Sequence, residues 1–194
     1  YIGGQISGGD KDVIIVKYNG DGKTAWTRLI GGAYADHGHA VSTTNDGSIY
    51  ITGTINRNPF LSKINNKGSE VWRILLGYSE FGVNLVSAAS DNSIYITGRE
   101  KVKEGEEFIA KYKSDGSIIW KLPIKARREF DVIDKTYIEA LCTSGDCVYV
   151  AGRAIDGGVG GNTLGFVSKY NSNGEHLWTN IIPVSYTHLR AHET

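Results

Sequence analysis

The chain has 194 residues, of which 40% are hydrophobic, enough to build the core of one large single-sheet or repeat domain. Its 21 Lys and Arg side chains balance 21 Asp and Glu side chains, so the formal net charge is zero. A chain without net charge is not expected to bind nucleic acid, nor a membrane through a polybasic patch, because neither anionic partner would be held electrostatically. No apolar run approaches the ~20 residues of a membrane-spanning helix.

Two sequence landmarks recur four times in a fixed order. The first is a tyrosine that opens the segments YIGG, YITG, YITG and YVAG at Tyr1, Tyr50, Tyr95 and Tyr149. The second is a lysine followed nine residues later by a tryptophan, and it accounts for every tryptophan of the chain. These pairs are Lys17 and Trp26, Lys63 and Trp72, Lys111 and Trp120, and Lys169 and Trp178. Such an arrangement indicates a tandem repeat.

Each repeat predicts four strands. In the first complete repeat these are a short strand at residues 40–42, a strand at residues 48–52, a strand ending at Lys63, and the Trp72 strand. Alternation with period two and enrichment in β-branched and aromatic residues favour strands over helices. The polar segment between Lys and Trp ends in Gly, which fits the positive-φ position of a type I turn with a G1 bulge.

A four-stranded antiparallel meander that recurs about every 45–50 residues is typical of a β-propeller blade. We therefore predict an all-β fold, a β-propeller fragment of about four blades with the first blade incomplete. The predicted blades are residues 1–30, 40–76, 85–124 and 137–182. The four tryptophans are expected to pack between blades as structural residues, each burying ~150–250 Å². Because an open arc leaves sheet faces unpaired, we expect aggregation or marginal stability of the isolated arc.

Neither end of the sequence looks like the natural end of a protein. Residues 183–194 do not continue the repeat, and VSYTHLRAHET at residues 184–194 is similar to the conceptual translation of a sequencing adapter in metagenomic gene fragments. This tail is excluded from the fold prediction, as other non-native segments are. The chain also starts at Tyr1 rather than at Met. We therefore expect an internal fragment of a longer protein, monomeric within that longer chain.

The repeat resembles the SBBP repeats of bacterial and archaeal β-propellers. The resemblance consists of an apolar strand ending in Lys-Tyr, a Gly turn, a Trp strand, Gly-Gly, an acidic loop and GSIYITG, in this order. The best copy spans residues 16–53 and includes Asp36, whereas KARR at residues 125–128 replaces Gly-Gly in a later copy. The resemblance implies a secreted or cell-surface protein, with the periplasm as an alternative, usually without assigned activity. A weaker similarity to the Gly-x-x-x-Trp repeats of quinoprotein dehydrogenases implies the same fold.

Cys142 and Cys147 flank TSGD, the predicted hairpin turn of the fourth repeat. If they formed a directly opposed, non-hydrogen-bonded pair, their Cα atoms would lie ~4.5 Å apart, near the short limit for a disulfide. Two outcomes stay open, a hairpin disulfide and a pair of structural thiols. A disulfide would agree with an oxidising, extracytoplasmic location.

The segment Asp36-His37-Gly38-His39 is the most chemically suggestive one, because two imidazoles one residue apart on an extended chain can share a metal. No third ligand recurs in the corresponding loops, so we predict solvated histidines and no metal site. In a propeller, the loops after the second and fourth strands share one face, where ligands usually bind. The candidate binding residues on that face are Asp36, His37, His39, Lys101, Lys103, Lys125, Arg127 and Arg128.

The sequence gives no support for nucleophilic catalysis, since it has no Gly-x-Ser-x-Gly elbow and no recurring carboxylate pair. The first hypothesis is a non-catalytic binding or structural module without a cofactor, whose loops bind a protein, a glycan or the cell envelope. The alternative is a quinoprotein-like dehydrogenase that holds pyrroloquinoline quinone and a metal in the central channel. The innermost strands (residues 40–42, 85–87 and 139–141) offer few of the charged groups that such a site needs. A third hypothesis, an intracellular repeat scaffold, would be disfavoured mainly by a hairpin disulfide between Cys142 and Cys147.

Overall fold

A computed structural model describes residues 2–6, 12–32, 34–77, 82–100, 106–124, 133–156 and 163–183. Within these ranges every regular element is a β-strand, and no helix long and apolar enough to cross a membrane is present. The fifteen strands are β1 (Ile2–Ile6), β2 (Asp12–Tyr18), β3 (Thr24–Ile30), β4 (His37–Thr43), β5 (Ile49–Ile55), β6 (Asn58–Ile64), β7 (Glu70–Leu75), β8 (Val83–Ala88), β9 (Ile94–Arg99), β10 (Glu107–Tyr112), β11 (Ile118–Pro123), β12 (Ile133–Ser144), β13 (Cys147–Asp156), β14 (Thr163–Asn171) and β15 (His176–Pro183).

The strands form four antiparallel sheets, and each sheet is a meander in chain order. Blade 1 contains β1–β3, blade 2 contains β4–β7, blade 3 contains β8–β11, and blade 4 contains β12–β15. The first strands of blades 2, 3 and 4 contact one another in succession, so they form the inner side of the array. The predicted fold is confirmed: the chain is an arc of β-propeller blades, and the described part of blade 1 has three strands rather than four.

The turn between the third and fourth strands has the predicted geometry in every blade. Its closing residue is a glycine with φ between 79° and 91°, a region that strains any residue with a Cβ. The strand ladder shifts register just before this turn, as a G1 bulge requires. These glycines are Gly22, Gly68, Gly116 and Gly174.

The inner strand of each four-stranded blade carries a second β-bulge, which the sequence analysis did not predict. The register shifts around His39 in β4, Asn84 in β8 and Glu139 in β12. Each bulge lets the inner strand continue toward its N-terminal end, so these strands begin two to six residues before the predicted residues 40, 85 and 139. The inner strands are therefore longer in the structure than the sequence predicted.

The bulge in the inner strand requires a glycine at the last position of the Tyr landmark on the neighbouring strand. A Cβ built on Gly53 would collide with the carbonyl oxygen of His37, and one on Gly152 would collide with that of Tyr137. In blade 3 the corresponding Gly98 would meet the carbonyl oxygen of Gly82. The glycine thus lets the second strand approach the bulged inner strand closely.

One contact, here called the interblade clamp, joins each blade to the next. In blade 1, the Trp26 indole Nε1–H donates to the carbonyl oxygen of Asn66 at 3.0 Å, and the Lys17 ammonium donates to the same oxygen at 3.3 Å. The indole ring covers Gly68, where a Cβ would lie 3.0 Å from it. A Lys and a Trp of one blade therefore bind the Gly turn of the next blade.

The clamp recurs at the next two joints with the same atoms. Lys63 and Trp72 both donate to the carbonyl oxygen of Ser114, each at 3.2 Å. Lys111 and Trp120 both donate to that of Ser172, each at 3.1 Å. The landmark tyrosine completes each clamp: Tyr50 meets the Trp72 ring at 6.0 Å between centroids, and Tyr95 meets the Trp120 ring at 5.7 Å.

The hydrophobic core lies between blades rather than within one blade. Val13 and Ile15 of blade 1 pack with Phe60 and Ile64 of blade 2, and equivalent clusters join blades 2 with 3 and 3 with 4. Burial of each such side chain contributes roughly 1.5–3 kcal/mol. A single sheet buries too little to stand alone, so neighbouring blades stabilise each other.

The direct opposition of Cys142 and Cys147 does not occur in the structure. Cys142 pairs with Tyr149 and Cys147 pairs with Ser144, and both cysteines are free thiols. The physical reason is the loop: direct opposition would need all four residues between the cysteines in the loop, whereas the loop has two residues here and three in blades 2 and 3. Gly145, with φ of 56°, opens this tighter loop and shifts the register of the hairpin by one residue.

A pair of glycine substitutions tests the interblade clamp. Gly77 and Gly116 have φ of 92° and 91°, so Gly77→Ala and Gly116→Ala suffer the same backbone strain. A Cβ at Gly77 meets nothing among the described residues, whereas one at Gly116 meets Ile74 at 2.9 Å and Trp72 at 3.4 Å. In urea unfolding we expect Gly116→Ala to lose about 1–3 kcal/mol more than Gly77→Ala. Equal losses would show that the clamp adds nothing to stability.

Candidate functional site

A polar cleft, here called the Glu107 cleft, lies between blades 3 and 4 and has a volume of about 290 Å³. It is located where β9 and β13 end and where β10 and β12 begin, on the face predicted to carry the binding loops. Its floor contains a buried carboxyl group, and its rim contains two guanidinium groups. The lining residues are Gly82, Asn84, Arg99, Glu107, Tyr137, Ile138, Glu139 and Arg153.

Glu107 is the unusual residue of this cleft, because its side chain is charged in water yet only 5% of the residue is exposed. The backbone N–H of Ile138 donates to the carboxylate, but no described residue hydrogen-bonds to Oε2. Burial raises the pKa of Glu107 to about 7, although attraction to Arg99 and the Ile138 hydrogen bond lower it in part. A buried carboxyl with an unsatisfied oxygen is costly for the fold and often marks a functional site.

Arg99 and Arg153 both stack on the ring of Tyr137. The guanidinium carbons lie 4.9 Å and 4.7 Å from the ring centroid, within the range of cation–π contacts. Arg153 also forms an ion pair with Glu139, at 3.0 Å between Nε and Oε1. Since Arg99 belongs to blade 3 and the other residues to blade 4, this stack holds the two rims of the cleft together.

The inner-strand bulges place side chains on this same face. His39, Asn84 and Glu139 occupy the bulged position of β4, β8 and β12, and all three are exposed. A bulge re-aims the extra residue relative to the strand ladder. Asn84 and Glu139 thereby reach the Glu107 cleft.

His39 instead joins blade 2 to blade 3. Its Nδ1 lies 2.7 Å from the carbonyl oxygen of Val83. A carbonyl only accepts, so Nδ1 carries the proton. His37 is exposed and pairs with Thr54 at the start of β4. In the described part of the chain, no three His, Cys, Asp or Glu side chains come together as a metal site.

Asp36 has a structural position. It is fully buried, and its two carboxylate oxygens accept hydrogen bonds from the backbone N–H groups of Gly32 at 2.6 Å and Asn56 at 2.8 Å. These bonds tie the segment before β4 to the loop after β5. Asp36 thus shapes the face without facing a ligand.

The remaining predicted loop residues, Lys101, Lys103, Lys125, Arg127 and Arg128, lie outside the described residues. Residues 101–105 fall between β9 and β10, and residues 125–132 fall between β11 and β12. The first segment connects two strands that line the Glu107 cleft, and the second leads into a third such strand, β12.

Four residues that define the cleft were not predicted from the sequence: Arg99, Glu107, Tyr137 and Arg153. One signal was present in the sequence: an arginine directly follows the last glycine of the Tyr landmark in the third and fourth repeats, at Arg99 and Arg153. The burial of Glu107 has no such signal, because EGEEF at residues 104–108 has the sequence of a solvated loop.

No family model matches the sequence, and no curated protein matches it. Among solved structures, a Mycobacterium tuberculosis puromycin-hydrolysing peptidase is similar over 86% of this chain and 24% of its own, with 13% identity and a TM-score of 0.51. The chain also matches a subtype N10 neuraminidase-like protein of A/little yellow-shouldered bat/Guatemala/060/2010 (TM-score 0.42, 10% identity, 89% of this chain and 55% of that one). A third match is GH43B of the Bacteroides ovatus xyloglucan PUL (TM-score 0.43, 12% identity, 90% and 40%). The chain thus spans about a quarter of the peptidase, and that likeness shows the fold alone.

Proposed function

We propose that this chain is a non-catalytic binding module of an SBBP-type β-propeller, and that the Glu107 cleft binds a carboxylated end group of a glycan. The observation that carries the proposal is the cleft itself, in which a buried carboxyl with an unsatisfied oxygen lies beside two arginines. The sequence resemblance to SBBP repeats supports an extracellular or cell-surface location, with the periplasm as the alternative. Glycans of the cell envelope are present in each of these places.

The size and polarity of the cleft favour a small polar group over a protein surface. Its volume of about 290 Å³ is at the lower end of ligand sites, which measure roughly 300–1,000 Å³. Cores of protein–protein interfaces are depleted of charged residues, whereas this cleft contains two arginines and two glutamates. One sugar-sized group therefore fits it better than a folded partner.

The charge of the cleft selects an anionic group. At pH values well below its pKa of about 7, Glu107 is protonated, so the two positive charges of Arg99 and Arg153 exceed the single negative charge of Glu139 by one. A guanidinium donates two parallel hydrogen bonds to a carboxylate, which makes arginine suited to this group. The protonated Oε2 of Glu107 would add a donor for the ligand. The favoured ligand is therefore a uronate-like residue.

Arg153→Gln tests the proposal directly. Removing one charged donor is expected to weaken binding of a uronate-terminated oligosaccharide about tenfold or more, measured by isothermal titration calorimetry. The matched control is Arg73→Gln, because Arg73 also stacks on an aromatic ring (Phe60, 5.6 Å) and pairs with a glutamate (Glu70, 2.7 Å) but lies in blade 2.

This control should bind the uronate ligand as the wild type does. A neutral oligosaccharide of the same length should bind weakly to every variant. If Arg73→Gln and Arg153→Gln lose affinity equally, or if the neutral sugar binds as well as the uronate, the proposed ligand is incorrect.

Glu107 also predicts a pH dependence of stability. An unfolded Glu has its ordinary pKa near 4.5, so between pH 4.5 and about 7 the unfolded chain releases a proton that folded Glu107 retains. Stability from this group is therefore greatest below pH 4.5 and falls as the pH rises to about 7. Glu107→Gln should remove this slope in urea unfolding.

The control for this measurement is Glu175→Gln, which changes an exposed carboxylate in the last turn. It should keep the wild-type slope between pH 4.5 and 7. Asp46 and Asp91 have a lowered pKa because neighbouring Ser and Thr groups donate to them, so they titrate below this window. Parallel pH curves for wild type and Glu107→Gln would mean that Glu107 titrates normally.

A further inference from the structure

The carboxyl of Glu107 is fixed at the joint between blades 3 and 4. Glu107 pairs with Arg99 of β9 in the strand ladder, and its carbonyl oxygen accepts a hydrogen bond from the backbone N–H of Ile124 at 2.7 Å. The backbone at Glu107 is thus held on both sides. Directly opposed residues of neighbouring strands point to the same face of a sheet, so Arg99 and Glu107 share the face that packs against Tyr137 of blade 4.

The charged side chains that line the cleft form two pairs of opposite charge. Arg153 and Glu139 make an ion pair, with 3.0 Å between Nε and Oε1. Arg99 attracts the carboxylate of Glu107, and no further lysine or arginine of the described residues lines the cleft. When both glutamates are ionised, the two pairs cancel. The cleft then has no net charge with which to attract an anion.

The neighbouring strands add no further charge to the cleft. In β11, which pairs with β10, the ammonium of Lys121 forms an ion pair with Glu100 and is not part of the lining. Strand β8 contributes the neutral amide of Asn84, and β12 contributes the phenol of Tyr137. Within the described part of the chain, the two Arg–Glu pairs therefore set the charge of the cleft.

A proton on Glu107 changes this balance. Burial raises the pKa of Glu107 to about 7, although Arg99 and the N–H of Ile138 oppose this rise. When the carboxyl is protonated, Arg99 loses the carboxylate beside it, and the cleft carries one positive charge. Because only 5% of Glu107 is exposed, water screens this charge less than it would at an open surface.

We propose that the Glu107 cleft takes up one proton with each anionic ligand that it binds, so that it holds the ligand in mildly acidic surroundings and releases it in alkaline ones. This inference rests on the proposed function, because it concerns the same cleft and the same uronate-like ligand. The ligand carboxylate replaces the Glu107 carboxylate as the counterion of Arg99. The proton comes from the solvent and stays on Glu107, since a like charge nearby disfavours ionisation of a buried carboxyl.

Proton linkage sets the direction and size of the effect. Well below pH 7, Glu107 is already protonated in the free protein, so binding takes up no further proton and the affinity does not change with pH. Well above pH 7, the free cleft must first bind a proton, so each pH unit should weaken binding about tenfold. Between about pH 5.5 and about pH 8.5, the dissociation constant should therefore rise about thirtyfold.

The test is isothermal titration calorimetry of the full chain with a uronate-terminated oligosaccharide at these two pH values. Each titration is run in two buffers of different ionisation enthalpy, so that the number of protons taken up is measured on the wild type itself. It should be close to zero at the acidic pH and approach one at the alkaline pH. Glu107→Gln cannot titrate, so its affinity should not depend on pH and it should take up no proton.

Glu139→Gln is the matched control, because it removes the other carboxylate of the cleft and should retain the wild-type pH dependence. Equal wild-type affinity at both pH values, or binding without proton uptake, overturns the inference and leaves the proposed ligand class intact. A pH dependence that persists in Glu107→Gln, or disappears in Glu139→Gln, also overturns it, since another group would then titrate. If the wild type binds the uronate at neither pH, the proposed function fails, and this inference fails with it.

Discussion

The structure depends on one backbone carbonyl at each joint between blades. An indole N–H and a lysine ammonium donate to this oxygen together, while the indole ring covers the glycine two residues further along. A typical hydrogen bond contributes roughly 0.5–1.5 kcal/mol net, and the half-buried ring adds its hydrophobic area. The two halves of the clamp, the indole and the Gly turn, depend on each other. The turn must have a glycine so that the indole ring fits against it, and the indole N–H needs the carbonyl oxygen of the turn as its acceptor.

The clamp also explains why the Glu107 cleft exists. The Gly turns lie at one end of the blades, after β10 and β14, whereas Glu107 and Arg153 lie at the other end of the same sheets. The clamp fixes the separation of blades 3 and 4 at the turn end. At the opposite end the sheets meet through the stack of Arg99, Tyr137 and Arg153, which is polar and leaves a cavity. A buried carboxyl is tolerated there because Ile138 satisfies one of its oxygens and Arg99 lowers the cost of its charge.

The elements that could be predicted from the sequence are those in which a backbone conformation is open to only one residue type. The spacing of Lys63 and Trp72 around Gly68 specifies a strand, a G1-bulge turn and a strand, since only Gly adopts this φ without strain. The inner-strand bulges were not predictable, because His39, Asn84 and Glu139 share no side-chain chemistry and the cause lies in the neighbouring strand. The opposition of Cys142 and Cys147 was not correctly predicted for a similar reason: it requires a four-residue loop, and the two-residue loop of the structure sets a different register for every pair of the hairpin. Glu107 needed the tertiary structure, as its burial comes from blade 4 rather than from its own segment.

The bulged inner strands have a consequence for how such a protein diversifies. The second-strand glycine keeps the backbone at the bulge nearly constant, so the bulged residue is free to be an imidazole, an amide or a carboxylate, as His39, Asn84 and Glu139 are. When a repeat is duplicated, the new blade brings another such position to the inner rim, already aimed and sterically permitted. The polar groups along the inner strands can therefore increase by one side chain with each duplication, while the hydrophobic layers between the sheets stay unchanged.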